Sequence, residues 1–408
     1  MTDLVSGPRG RHFLYRLAEL VSENWELAQA MMSLEMRLRQ SVDGPPGIQF
    51  QPLGFASRLR YKINDEEGTF APRFPRLEML SLNVSAWKRG KLPSRKEAAW
   101  SASVARGDSY GPHANLVTPA GIAARIDKLP GSGNPEQLVQ ALEESVASAM
   151  YWQEPDMIDR ILDNPTIIAS LAAFAIRSDI TPNTLEKLSD GEEMSVRWIL
   201  DPPIPQSDRM VDGAEVILER WARLKVQDVL LAKRERPDDP TANWSGAWYS
   251  VPPGDLVSSN RQVPGGLPAC LRYVEDGPVG ELAEIRTVTA HAHARIYVID
   301  SISDWVRLCN KYPMDVTAEV RHDWYRVTGR DSTWIIPNWR DVARDWEAVR
   351  LTVHGYLTSA TKAIQVRDGE SMIAGWNPGE TYWLTDVHET APEPWIFVDY
   401  DHWEKQEP

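Results

Sequence analysis

Apolar residues recur at helical spacing near the start of the chain. They occur between Phe13 and Leu38 at Leu14, Leu17, Val21, Ala28, Met31 and Leu38. Because a helix brings every third or fourth residue to one face, this pattern predicts one long amphipathic helix or two in succession.

A second helical pattern begins at Asn134, a residue suited to accept hydrogen bonds at a helix start. Pro135 follows at a position where the missing N–H is tolerated, and Leu138, Leu142, Val146 and Ala149 share one face. Similar spacing predicts three further helices, over residues 156–161, 166–177 and 212–224.

The second half of the chain has a different pattern, with short alternating runs rich in β-branched and aromatic residues. These runs predict strands at 226–231, 295–299, 334–336, 349–353, 381–384 and 395–398. Of the 17 tryptophans, 13 lie from Trp198 onward, which favours aromatic packing or ligand stacking in this half. Strands with few intervening helices indicate an α+β fold and argue against a doubly wound nucleotide fold.

The proline-rich segment 201–205 separates the two patterns, because each proline removes a backbone donor and restricts the preceding residue. We therefore predict a helix-rich domain over 1–205 and a tryptophan-rich, strand-rich α+β domain over 206–408. The second would be the catalytic domain, and the first would recognise a partner or regulate access to the site.

Composition limits the classes of partner. A net charge of −14 argues against a dedicated duplex-DNA binder, although a protein or nucleic-acid target of the N-terminal domain stays compatible with it. The two cysteines rule out a disulfide framework and indicate a reducing compartment. With no signal-peptide pattern and no apolar stretch of about 20 residues, we expect a cytoplasmic protein without a membrane partner.

The segment from Asn243 to Pro252 (NWSGAWYSVP) follows the predicted strand 226–231 and a polar turn that contains Arg234 and Arg236. Here the sequence resembles the ADP-ribosyltransferase-like superfamily, whose members consume NAD. Many of them have an early strand ending in Arg or His, then a glycine–aromatic–x–Ser segment, then a carboxylate on a later strand. The chain lacks the Ser-Thr-Ser and Glu-x-Glu patterns of many members.

The resemblance implies a role for each matching residue. Arg234 or Arg236 would hold the pyrophosphate, while Trp248 or Tyr249 would stack on the nicotinamide. Ser250 would maintain the geometry of the site, and Glu380 would be the catalytic acid at the start of a strand. NAD would then be the substrate, and no metal would be required.

The chemistry of these residue types is consistent with that implication. Cleavage of a nicotinamide–ribose bond develops an oxocarbenium ion, which a nearby carboxylate stabilises. A guanidinium binds phosphate oxygens in a fork, and aromatic faces attract a flat cation. The same residues also fit a structural role as core aromatics, a turn serine and a solvated strand end.

Basic and aromatic residues interleave from Arg321 to Arg326 (RHDWYR), as they do where proteins contact a phosphate and a base. His322, Tyr325 and Arg326 are therefore candidate substrate-binding residues. His322 would act as a general base if a carboxylate held it.

Two other functions fit the sequence. The aromatic-rich half suits a non-enzymatic recognition module for a peptide, nucleotide or nucleic acid, because tryptophans supply stacking surfaces without chemistry. Alternatively, His291 and His293 would point to one side of a predicted strand and begin a metal site. That site would need a third ligand such as His322, His354 or Asp300.

Overall fold

The computed structural model describes residues 3–22, 26–41, 117–199, 212–275, 280–399 and 402–406. In these ranges the chain forms twelve α-helices and a mixed multi-stranded sheet, which confirms the α+β class. From its proline and glycine content we expected the segment 44–133 to be irregular. The part up to residue 116 lies outside the described residues, and the expectation is wrong for Pro119–Asp127, which form a helix capped by the Thr118 side chain.

The helices are α1 (Pro8–Val21), α2 (Glu26–Ser41), α3 (Pro119–Asp127), α4 (Pro135–Ala147), α5 (Met157–Leu162), α6 (Pro165–Arg177), α7 (Pro182–Glu186), α8 (Ala214–Glu235), α9 (Ile302–Lys311), α10 (Thr317–Thr328), α11 (Trp339–Val342) and α12 (Val353–Ser359). The predicted cap of α4 is present as a capping box. The Asn134 side chain accepts from Gln137 N, and the Gln137 side chain accepts from Asn134 N.

The strands are β1 (Asp190–Ile199), β2 (Ser258–Gln262), β3 (Leu282–Thr289), β4 (Ile296–Ile299), β5 (Pro313–Asp315), β6 (Ile335–Pro337), β7 (Ala348–Leu351), β8 (Ile364–Val366), β9 (Gly369–Ser371), β10 (Thr381–Trp383), β11 (His388–Glu389), β12 (Glu393–Asp399) and β13 (His402–Lys405). Nine of them form the main sheet, in the order β13-β12-β3-β1-β2-β10-β7-β4 with β11 beside β3. Neighbours pair antiparallel except β4 and β7, which are parallel.

The helix-rich and strand-rich segments share this sheet. Strand β1 precedes the predicted boundary near residue 205, yet it pairs with β2 and β3, which follow it. One hydrophobic cluster likewise extends from Leu4 in the first helical turn to Leu384 after β10. The proline-rich segment 201–205 lies outside the described residues.

The prediction of a strand at 226–231 is wrong, because these residues continue α8 to Glu235. Residues at helical spacing, Ala222, Lys225 and Ala232, are buried on one side of this helix. The apolar residues of 226–231 that resembled a strand lie mostly on the outward face of α8. The helix stops just before Pro237, since the residue preceding a proline disfavours helical backbone.

Candidate functional site

Residues 244–250 of the segment from Asn243 to Pro252, called the aromatic loop below, have no regular secondary structure. Side chains of α10 hold them in place. Asp323 accepts two hydrogen bonds from the loop, from Ser245 Oγ at 2.8 Å and from Gly246 N at 2.9 Å. This carboxylate is buried and also pairs with Arg326, so its charge is compensated.

Arg326 connects two segments that are distant in sequence. Its Nε donates to Trp152 O at 2.8 Å, and its Nη1 donates to Trp244 O, also at 2.8 Å. Two residues earlier on the same helix, Trp324 Nε1 donates to Trp248 O at 2.7 Å. Together these bonds hold the backbone of the aromatic loop against α10.

Ser250 fixes the other end of the loop. It is fully buried, its N–H donates to Ala374 O at 3.0 Å, and its Oγ accepts from Ala374 N at 3.0 Å. These two bonds join the end of the loop to the backbone of Ala374.

The rings of the loop pack on an aromatic pair that follows α4. Trp248 stacks on Tyr151 with a centroid distance of 5.5 Å and an interplanar angle of 10°, and it lies 4.8 Å from Trp152. Tyr249 meets Trp248 edge-on at 5.9 Å. Tyr151 and Trp152 were not among the predicted site residues. Their adjacency in the sequence was a signal, but nothing local indicated a partner almost a hundred residues away.

Two ring side chains of the loop remain open to solvent. Trp244 is 40% exposed and Tyr249 is 46% exposed. Lys225 Nζ lies 5.5 Å from the centroid of the Tyr249 ring, within reach of a cation–π interaction. Lys225 also bonds both carboxylate oxygens of Glu319, at 2.9 and 3.1 Å.

The two predicted pyrophosphate ligands differ from expectation, because the strand that was to present them is a helix. Arg234 lies in the last turn of α8, exposed and paired with Glu235 at 2.7 Å. Arg236 lies beside the aromatic loop, where its Nη1 donates to Glu319 O at 2.6 Å. A Cβ at Gly246 would lie 2.4 Å from this Nη1, so a larger residue there would displace the Arg236 guanidinium.

The predicted substrate-binding residues lie on α10 rather than on an open segment. His322 is buried, and desolvation lowers its pKa, with Arg321 contributing in the same direction. Asp323, its neighbour in the sequence, does not hold His322 but accepts hydrogen bonds from Ser245 and Gly246, because consecutive helical residues point in different directions. Tyr325 is half-buried, and Arg326 is occupied by the loop bonds described above.

Glu380 occupies a separate buried position directly before β10. Asn377 N donates to its Oε2 at 3.2 Å. Desolvation raises its pKa to about 7, and hydrogen bonds from Asn377 and Ser258 offset this only in part. Among the described residues, no hydrogen bond or ring contact joins Glu380 to the aromatic loop.

His291 and His293 were predicted to point to one side of a strand, but they do not lie on a strand. Residues 291–295 form a turn before β4, and both histidines are exposed. His291 Nε2 lies 2.8 Å from Glu347 Oε1. In the part of the chain that the structure describes, no three His, Cys, Asp or Glu side chains are arranged to hold a metal ion.

Comparisons with family models, with curated proteins and with solved structures gave no match to this chain. Within the described ranges, no helix combines the length and apolar character that a bilayer span requires.

Proposed function

We propose that the aromatic loop is a recognition surface that stacks a flat ring, such as a nucleobase or a nicotinamide. The observation that carries this proposal is that Trp244 and Tyr249 stay exposed on a loop whose backbone is fixed by hydrogen bonds. A rigid loop with exposed rings loses little conformational entropy on binding, which is the property of a preorganised site.

The cations around the loop are engaged internally. Arg326 bonds two carbonyls and Asp323, Arg236 bonds a carbonyl, and Lys225 pairs with Glu319. Binding therefore depends on the ring more than on phosphate charge, and the affinity should change little with salt concentration. A base–aromatic stack is worth about 1–3 kcal/mol per base.

The test is calorimetric titration of the purified chain with NAD and with AMP. Trp244→Ala and Tyr249→Ala should each raise the Kd by about tenfold or more, as expected for loss of one stack. Trp346→Phe, which alters a half-buried tryptophan packed on Tyr297 outside the loop, serves as the control. The proposal fails if the wild type binds neither ligand, or if both loop variants bind as the wild type does.

NAD consumption of the ADP-ribosyltransferase type is the second candidate, and Glu380 supports it. A buried carboxyl with a pKa of about 7 at the start of a central strand is the kind of perturbed acid that functional sites use. Trp248 and Tyr249 would hold the nicotinamide, with the acid stabilising the oxocarbenium ion. The unpaired thiols of Cys270 and Cys309 suit the cytoplasm that we propose as its compartment.

Release of nicotinamide from NAD tests this second candidate. Glu380→Gln keeps the size of the side chain and should abolish release while NAD binding persists. Release at the wild-type rate would remove Glu380 from the mechanism. Binding without release in the wild type would leave ring recognition as the function of the loop alone.

A further inference from the structure

The outward face of α8 is unusually apolar for a surface helix. Its inner face is buried through Ile217, Leu218, Ala222 and Ala232. Five of the eleven large exposed hydrophobic side chains in the described ranges lie on its other side: Val216, Leu224, Val226, Leu230 and Leu231. Exposed apolar clusters of this kind mark interaction surfaces.

Charged residues of both signs also lie on the exposed side of the helix, among them Arg223 and Asp228. Glu215 and Glu219 lie near its start, and Lys233 and Arg234 lie in its last turn. Glu219, Val226 and Lys233 are separated by intervals of seven residues, so they follow one side of the helix. Val226 is therefore the midpoint between an acidic and a basic residue on the same side.

We propose that α8 pairs antiparallel with α8 of a second copy of this chain, about a twofold axis at Val226. In an isologous pair, the same surface must complement itself. The axis places Glu219 of each protomer opposite Lys233 of the other and brings the two Val226 side chains together. Leu230, one turn after Val226, is then covered from water, whereas Leu224 and Leu231 lie on the opposite flank of the helix. The antiparallel arrangement also brings opposite ends of the helix dipoles together.

Both charged side chains that this pairing requires are exposed. Glu219 lies 3.7 Å from Arg340 Nη1, and its side chain is 60% exposed. Lys233 is exposed. The 22 residues of α8 give a contact line about 33 Å long at a rise of about 1.5 Å per residue. A different partner could also bind the exposed apolar side chains, but it would not require Glu219 and Lys233 to lie at equal distances from Val226. This symmetric spacing therefore favours a second copy of the chain as the partner.

The experiment is the mass of the full chain in solution, measured by sedimentation equilibrium over a range of concentrations. We expect twice the 46.1 kDa of one chain. Lys233→Glu should weaken the dimer by about tenfold or more, since two like-charged contacts replace two ion pairs. The charge swap Glu219→Lys with Lys233→Glu should restore it.

Leu230→Asp should yield a monomer with unchanged thermal unfolding, because Leu230 is 62% exposed in a single copy. Val298→Asp, which alters an exposed apolar residue of β4, is the matched control and should keep the dimer. A monomeric wild type at every concentration overturns the proposal. The proposal is also overturned if the Leu230→Asp variant still forms the dimer, or if the charge swap fails to restore association.

Discussion

At the scale of single residues, Glu380 shows how position in the fold changes chemistry. The carboxyl lies on the side of the sheet that faces the core, because Tyr382, two residues further along, belongs to the main hydrophobic cluster. Its proton is therefore held more tightly in the folded protein than in the unfolded chain.

This raised pKa predicts how stability depends on pH. The unfolded carboxyl titrates near 4.5 and the folded one at about 7, so the folded state binds more protons between these values. The free energy of unfolding should fall as pH rises through this window, by roughly 3 kcal/mol at most. Urea unfolding of the wild type and of Glu380→Gln at pH 5 and pH 8 measures the effect.

The glutamine in Glu380→Gln cannot ionise, so the free energy of unfolding of this variant should depend less on pH than that of the wild type. Relative to the wild type, the variant should therefore be more stable at pH 8 than at pH 5. Parallel pH profiles for the two proteins would contradict the assigned burial of this acid.

At the scale of elements, a buried ion pair joins α8 to α10. Lys225 and Glu319 are both buried and bonded through two oxygens, and Lys225 also lies over the Tyr249 ring. The pair therefore connects the helix with the apolar outer face to the helix that holds the aromatic loop.

Removing one member of this pair should cost more than removing both. Lys225→Met leaves the Glu319 charge buried without its partner, which should lower the free energy of unfolding by about 3–5 kcal/mol. The double variant Lys225→Met with Glu319→Gln should recover much of the loss. A double-mutant cycle from urea unfolding measures the coupling, and additive losses would show that the two side chains act independently.

At the scale of the whole molecule, the N-terminal helices are built into the same core as the sheet. Arg9 on α1 is buried, donates to Ser145 O at 3.0 Å and pairs with Asp159. Gly10 allows α1 to approach the backbone of α12, since a Cβ there would lie 2.0 Å from Leu4 O and 2.9 Å from Leu357 O.

A shared core predicts one cooperative unfolding transition for both segments. Far-ultraviolet circular dichroism and tryptophan fluorescence, which is weighted to the second half, should give the same midpoint. Gly10→Ala should shift both midpoints together, with a loss of roughly 3 kcal/mol from overpacking against backbone. Gly254→Ala, where a Cβ meets open space, is the control. Two separate transitions would instead favour the two-domain division at residue 205.

The sequence by itself determined the local features of this protein. The Asn134 cap, the helices near 134–149 and 166–177, and the strand at 381–384 were predicted because periodicity and caps depend on neighbouring residues. The clustering of the aromatic segment with 321–326 was not predicted, although both segments were identified. Tertiary structure placed Tyr151 beneath Trp248 and turned the run 226–231 into the outer face of α8. Contacts between elements that are far apart in the sequence depend on which buried surfaces pack together. A local pattern of residues contains no information about that packing.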